Sequence, residues 1–213
     1  MPEHHPRRAG RPVDTAKRHA IIASAKRIFF EIGFAKASIE QIAADAHVSK
    51  VTVYKHFGGK RELFIAAVED ECKRIRHQFS VDQFASGRPN EQLTTFGEAV
   101  VTFISQPEMM RFKRQIAAEA ENEPDVGAAF LAAGPHRVTT ALSKLLSAMN
   151  DAKALRIADP EIAAELFISL CVGLGDLERR FGQEPNPARD RERIRAATDL
   201  FCRAFANDLS ISD

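Results

Sequence analysis

Between Ser49 and Lys60 the chain sets Lys50, Thr52, Tyr54, Lys55 and His56 within two turns of a potential helix. These side chains are nearly all hydrogen-bond donors, while Val48, Val53 and Phe57 give the same segment one apolar seam. A helix with one buried seam and a donor-rich outer face suits the major groove of duplex DNA, where side chains reach base edges and flanking donors hold phosphates. This chemistry is recognition rather than bond-making.

The neighbouring residues supply the elements that would position those donors. Ser49 is placed to cap the donor-bearing helix, and Ser38 with Gln41 forms a capping box for a shorter helix before it. Ile39, Ile42 and Ala43 give that shorter helix an apolar face, and Asp45 to Val48 leave room only for a sharp turn. An earlier helix opens at Asp14 or Thr15, carries Ala20, Ile21, Ala25, Ile28 and Phe29 on one face, and ends at Gly33. Phe34 stands where the hydrophobic contact of a Schellman motif falls. Gly58-Gly59 then breaks the chain, and Lys60 begins a longer helix through Leu63, Phe64, Ala67 and Val68 to about Phe79. That helix links the head to the rest of the chain, so mechanical coupling between them would run through it.

The stretch IAADAHVSKVTVYKHFGGKRELF resembles the DNA-binding signature of TetR-family repressors, with similarity from about Ala16 to Phe64. His47 stands where the family usually has Gly, and Val51 is bulkier than the small residues often found at its position. His is among the non-glycine residues more often found at positive φ, so the turn is expected to survive. The resemblance implies which face points outward. Ser38, Thr52, Tyr54, His56 and Lys60 are then expected to hold phosphates, with Ser49 and Lys55 beside them. Lys50 and Val51 are expected to reach base edges, Lys toward guanine O6 or N7 and Val toward a thymine methyl. Tyr54 has a compatible second reading as a partly buried ring with an exposed hydroxyl.

Charge supports this division. The chain of 213 residues has a formal net charge of +1, but Met1 to Arg61 carries +7 and the remainder −6. A basic head on an acidic body fits a protein that meets polyphosphate with one end. Residues 1–13 are expected to be a flexible basic arm whose Arg7, Arg8 and Arg11 lie along phosphates or in a minor groove. The head is expected over 14–61 and the body over 62–213, and the polar run Ser86-Gly87-Arg88-Pro89-Asn90 after the linking helix reads as the natural domain boundary.

From Glu91 onward everything reads as helix. One apolar stripe runs through Leu93, Phe96, Val100, Phe103 and Ile104 to Pro107; a second runs through Met109, Phe112, Ile116 and Ala117 to Pro124. A longer segment from Phe130 to Met149 should be kinked by Gly134-Pro135. Asp159-Pro160 caps and opens another helix, and a charged, proline-bearing loop from Gly182 to Arg189 precedes the last. No strand alternation persists, so the expected fold is all-α, with three short helices, a linking helix and five more.

GPHRVTTALSKLL, LRIADPEIAAELFISLCVGLG and DLFCRAF are similar to the AefR-like C-terminal domain of multidrug-responsive, AcrR-type members of the same family. Core packing explains each body aromatic or Met singly. For the set, the resemblance implies an effector pocket lined by Phe96, Val100, Phe103, Met109, Phe112, Ile116, Phe130 and Phe167. The last two helices are unusually apolar, and Leu166, Leu170, Leu174, Leu177, Phe201 and Phe205 are expected to form a four-helix dimer interface.

Catalytic motifs such as a Gly-rich phosphate loop, HExxH or GxSxG do not occur, and no cofactor or metal is expected. His77 and His136 have no obvious partner, and His4-His5 belongs to the arm. Cys72, Cys171 and Cys202 match no zinc or CxxC spacing and read as reduced thiols of a cytoplasmic protein. No segment approaches the roughly 18 apolar residues of a membrane helix. The expectation is a homodimeric repressor that binds a near-palindromic operator in double-stranded DNA and is released by a small hydrophobic effector. The alternative is a redox-sensing or ligand-independent regulator, with Cys171 or Cys202 as the sensor.

Overall fold

A computed structural model describes residues 15–77 and 87–207. The basic arm with Arg7, Arg8 and Arg11, the pair His4-His5, and the expected helix end near Phe79 lie outside the described residues. So does Ser86, at the start of the expected break. Among the described residues there are ten helices, and the only β feature is an isolated bridge between Leu155 and Ala206.

By its contacts the chain divides into two compact units at Ala67/Val68. The sequence boundary at 61/62 falls at the start of the linking helix; the packing boundary lies two turns further on. The first unit holds α1 (Thr15–Ile32), α2 (Ile39–Asp45), α3 (Lys50–Phe57) and the start of α4 (Lys60–His77). Its core is Ile21, Ala25, Phe29, Ile42, Val53, Leu63 and Phe64, all fully buried. Phe29, Phe34 and Phe64 pack ring on ring, with centroids 4.8 to 5.9 Å apart.

The second unit holds the remainder of α4 and six further helices: α5 (Pro89–Ile104), α6 (Pro107–Ala120), α7 (Pro124–Ala133), α8 (Pro135–Asp151), α9 (Pro160–Arg180) and α10 (Pro187–Ala204). Each of the six opens on a proline, which has the φ of a first helical turn and lacks only an N–H that would be unbonded there anyway. Thus Pro107 and Pro124, which read as helix stops, are helix starts. The segment expected to be one kinked helix around Gly134-Pro135 is two, α7 and α8, because Gly134 has φ −115° and ψ −92°, outside the helical region.

A second interruption has no proline. Gly173 in α9 adopts φ 46° and ψ −150°, a region essentially reserved for glycine. The break frees the carbonyl of Cys171, which accepts a 2.8 Å hydrogen bond from Arg193 Nε. A Cβ at Gly173 would lie 2.8 Å from the Arg193 side chain, so the guanidinium fills the space that glycine leaves. Around this joint, α5, α8, α9 and α10 enclose a core that includes Phe96, Leu142, Leu146, Phe167, Ile194 and Phe201.

Candidate nucleic-acid interface and body cavity

The first unit builds its turn from short-range bonds. Ser38 Oγ accepts from Gln41 N at 3.1 Å while Gln41 Oε1 accepts from Ser38 N at 2.9 Å, completing a capping box on α2. Ser49 Oγ accepts from Thr52 N at 3.1 Å and caps α3. Between the two helices His47 takes φ 53°, the positive value the sequence requires there. Ser24 and Arg27 of α1 both donate to the Asp45 carboxylate, which fixes the end of α2 to α1. The Ser24 hydroxyl first, then the Arg27 guanidinium, hold the Asp45 carboxyl below its ordinary range.

This frame leaves one side of α3 in solvent. Val53 is buried, whereas Lys50, Val51, Tyr54 and Lys55 are exposed, Val51 to 75%. Thr52 and His56 are half-buried, and the Thr52 and Ser49 hydroxyls lie 2.8 Å apart. Tyr54 is 45% exposed, with the Lys50 ammonium 5.8 Å from its ring centroid.

Lys50 is not a bare cation. Its ammonium donates to Glu40 in the first turn of α2, and that hydrogen bond raises the Lys50 pKa and lowers that of Glu40. Sequence reading missed Glu40, although a carboxylate two residues after the Ser38 cap was visible. Lys60 lies half-buried at the start of α4, its Nζ 3.3 Å from the Ala35 carbonyl and 4.6 Å from the Phe34 ring centroid.

In the second unit a cavity of about 320 Å³ opens among α4, α5, α6, α7, α8 and α9. Of the eight residues expected to line a pocket, Val100, Phe103, Met109 and Phe130 do so. Phe96 and Phe167 do not: both are fully buried in the core against α8, α9 and α10, because the N-terminal half of α5 faces those helices and only its C-terminal half reaches the cavity. Phe112 and Ile116 are also buried off the wall, and Phe112 backs the wall residue Phe130 edge-to-face at 5.6 Å. Ile168 and Val172, four apart on α9, were missed although they are one helical face away from the leucines singled out. Lys113, Thr139 and Arg180 supply the polar part of the lining. A depression of about 360 Å³ between α5 and the start of α10 is walled partly by Glu98, Gln106, Asp190 and Arg191.

Leu166, Leu170, Leu174 and Leu177 are all exposed, Leu174 to 63%, and Ile162 and Phe181 extend the stripe along α9. Phe201 and Phe205 do not join it. Phe201 is 2% exposed and packs on Phe167 at 5.2 Å and Phe205 at 4.6 Å, since Ile194, Ala197, Thr198 and Phe201 form the face of α10 that meets the subunit's own core. Leu200, half exposed on the same helix, is the apolar side chain that faces out.

The cysteines offer little redox chemistry. Cys72 and Cys171 are buried, and burial pushes the Cys171 thiol up to about 12, so it stays protonated and a poor nucleophile. Burial also raises the Cys202 thiol. Among the described residues no group of His, Cys, Asp or Glu is arranged to hold a metal ion, and no helix is long and apolar enough to cross a membrane.

Known proteins share both units. Residues 21–67 match the tetR family of bacterial regulatory proteins, and residues 91–207 match the C-terminal domain of AefR-like transcriptional repressors. The chain is 23% identical over 185 residues to the HTH-type transcriptional repressor Rv1474c of Mycobacterium tuberculosis, covering 87% of this chain and 90% of that protein. It is 33% identical over 81 residues to the HTH-type transcriptional activator FasR of Mycolicibacterium smegmatis, a match that spans 38% of this chain and only 33% of FasR. Among solved structures, the flavonoid-responsive regulator FrrA superposes with a TM-score of 0.82 at 28% identity, over 90% of this chain and 98% of that one. A TetR-family regulator from Mesorhizobium loti has the same fold, with a TM-score of 0.80 at 21% identity over 92% of this chain and 99% of that one. With matching signatures on both units, the chain belongs to the TetR family of DNA-binding transcriptional regulators and carries an AefR-like C-terminal domain.

Proposed function

We propose that the protein is a homodimeric, ligand-responsive repressor in which an apolar small molecule bound in the body lowers affinity for a near-palindromic operator. The observation that carries this reading is the cavity of about 320 Å³, walled by Phe103, Met109, Phe130, Ile168 and Val172, in a chain whose other unit is a helix-turn-helix. Its volume lies at the small end of the roughly 300–1,000 Å³ typical of ligand pockets, and its apolar walls favour a compact hydrophobic effector. The protein works as a cytoplasmic DNA-binding switch with an arm at 1–13, a head at 14–61 and a body at 62–213.

Two copies meet through the α9 stripe of Ile162, Leu166, Leu170, Leu174 and Leu177, with Leu200 of α10 beside it. A two-fold pairing brings each stripe against its own copy and presents two recognition helices to two half-sites. In each head Lys50 and Val51 read base edges; Ser38, Ser49, Thr52, Tyr54, Lys55, His56 and Lys60 hold phosphates, and Arg7, Arg8 and Arg11 of the arm add further contacts. The effector favours a dimer geometry whose heads no longer match the operator, and its preference for that state sets the size of the response.

The test begins with selection of bound sequences from a random duplex pool. An inverted repeat is expected, and a set without two-fold symmetry would contradict a dimeric reader. The selected duplex is then titrated in the presence of apolar compounds, headed by flavonoids because of the likeness to FrrA. Raised thermal stability together with weakened DNA binding is the expected result. Compounds that shift neither would leave the body as a dimerisation module alone.

A further inference from the structure

The cavity lining is apolar apart from Thr139 and two cations that share one carboxylate. Lys113 Nζ lies 2.6 Å from Asp176 Oδ1, and Arg180 Nε lies 3.0 Å from Asp176 Oδ2. Lys113 and Asp176 are largely buried, their side chains 15% and 13% exposed. Lys113 and Arg180 line the cavity, and Asp176 does not; no acidic side chain does. The carboxylate therefore stands behind the cations, which leaves a formal charge of +1 against a wall of Phe103, Met109 and Phe130. Lys113 is largely buried and Arg180 half exposed, and one carboxylate neutralises only one of the two, so an anion entering the cavity they line would find a charge-assisted partner.

We infer that the effector is an apolar molecule with a single acidic group, whose anion sits against Lys113 and Arg180 while its body fills the cavity. This rests on the effector-binding reading and specifies its chemistry. The ligand anion competes with Asp176 for the same two cations. That competition matters for signalling because of where Asp176 stands. It follows the Gly173 break in α9 by three residues and lies between Leu174 and Leu177 of the exposed stripe. Ile168 and Val172 line the cavity before the break, and Arg180 lines it after. A bound anion thus changes the partner of the segment that carries Leu174 and Leu177, the end of the stripe, just beyond a joint in the helix. Lys113 and Arg180 are ligand-binding residues on this account, and Asp176 is the internal competitor.

The test uses the full-length protein and matched probes: decanoate against methyl decanoate, and cinnamate against methyl cinnamate, with binding read by calorimetry and by operator release. At least one acid should bind about tenfold or more tightly than its ester, as charge-assisted hydrogen bonds predict. Lys113→Met should erase that preference and leave ester affinity within about twofold. Asp176→Asn removes the competitor and should tighten the acid by several-fold, a gain that a merely structural Asp176 would not produce. Arg180→Met, at a half-exposed position, serves if Lys113→Met fails to fold. Acid and ester binding equally would overturn the inference and leave the apolar-effector reading standing. An Asp176→Asn variant that weakens both probes alike would overturn the competition. Neither acid binding to a protein that does bind an uncharged compound of the apolar panel would overturn the inference alone, and no compound of either kind binding would remove the effector-cavity reading with it.

Discussion

The two units differ in what fixes their helices. In the first unit α2 and α3 are each capped by a side chain bonded within three residues, Ser38 with Gln41 and Ser49 with Thr52, and two longer bonds from α1, from Ser24 and Arg27, reach Asp45. The chain spends its polar groups on the backbone at the turn, and the outer face of α3 is left free to meet something else. In the second unit helices begin on prolines and are placed by burial: Phe96, Leu142, Leu146 and Phe167 are fully removed from water. Polar side chains there serve joints, as Arg193 does at Gly173, or the wall of the cavity, as Lys113 does beside Asp176. The first unit is thus determined locally, and the second is built around interruptions in its helices.

The largest effects should come from separating the two apolar surfaces of the body. Leu170→Asp puts a charge on the exposed stripe and should give soluble, folded monomers that lose about 100-fold or more in operator affinity, the avidity of a second half-site. Phe201→Ala, in the core of the same body, should lower subunit stability by about 3–5 kcal/mol and leave the dimer assembled below its melting point. Sedimentation and thermal melting distinguish them. A Leu170→Asp variant that still sediments as a dimer would place the interface elsewhere.

A second contrast lies within the head. Lys60→Ala should weaken binding to all sequences and flatten the dependence of log affinity on log salt by about one unit. Lys50→Ala or Val51→Ala should instead reorder operator variants, by about 1–3 kcal/mol for a good base contact. A Lys50 variant that binds every sequence with unchanged rank order is no reader of bases.

The smallest expected effect concerns the anchor of the turn. Asp45 is held below its ordinary value of 3.8 by Ser24 and Arg27, so its folded pKa lies under its unfolded one. It then contributes stability above pH 3.8 that is lost as pH falls through the folded value. Asp45→Asn should make melting of the head less sensitive to acid over that window, a modest change because the pair is partly exposed.

Sequence legibility follows the same division. Caps and turns were readable because each rests on residues three apart: Ser38 with Gln41, Ser49 with Thr52, and the forced positive φ at His47. All-α character was readable from periodicity throughout. The body was only half readable, because an apolar stripe does not say which apolar surface it meets. Phe96 and Phe103 lie on one helix, yet one is core and the other cavity wall. Phe201 and Leu200 are adjacent and face opposite ways. The break at Gly173 had no proline to announce it, and the cluster of Lys113, Asp176 and Arg180 joins α6 to α9 across a separation that no local pattern reveals.

The central claim is that occupancy of the body cavity weakens DNA binding by the head. Fluorescence anisotropy of the selected operator, titrated with protein saturated in the tightest-binding apolar compound, measures that coupling directly. The account predicts an affinity loss of about 5- to 150-fold in the native chain. It predicts none in Val138→Phe, which fills part of the cavity while the unliganded affinity is retained. Native protein whose operator affinity is unchanged when the cavity is saturated would contradict the account.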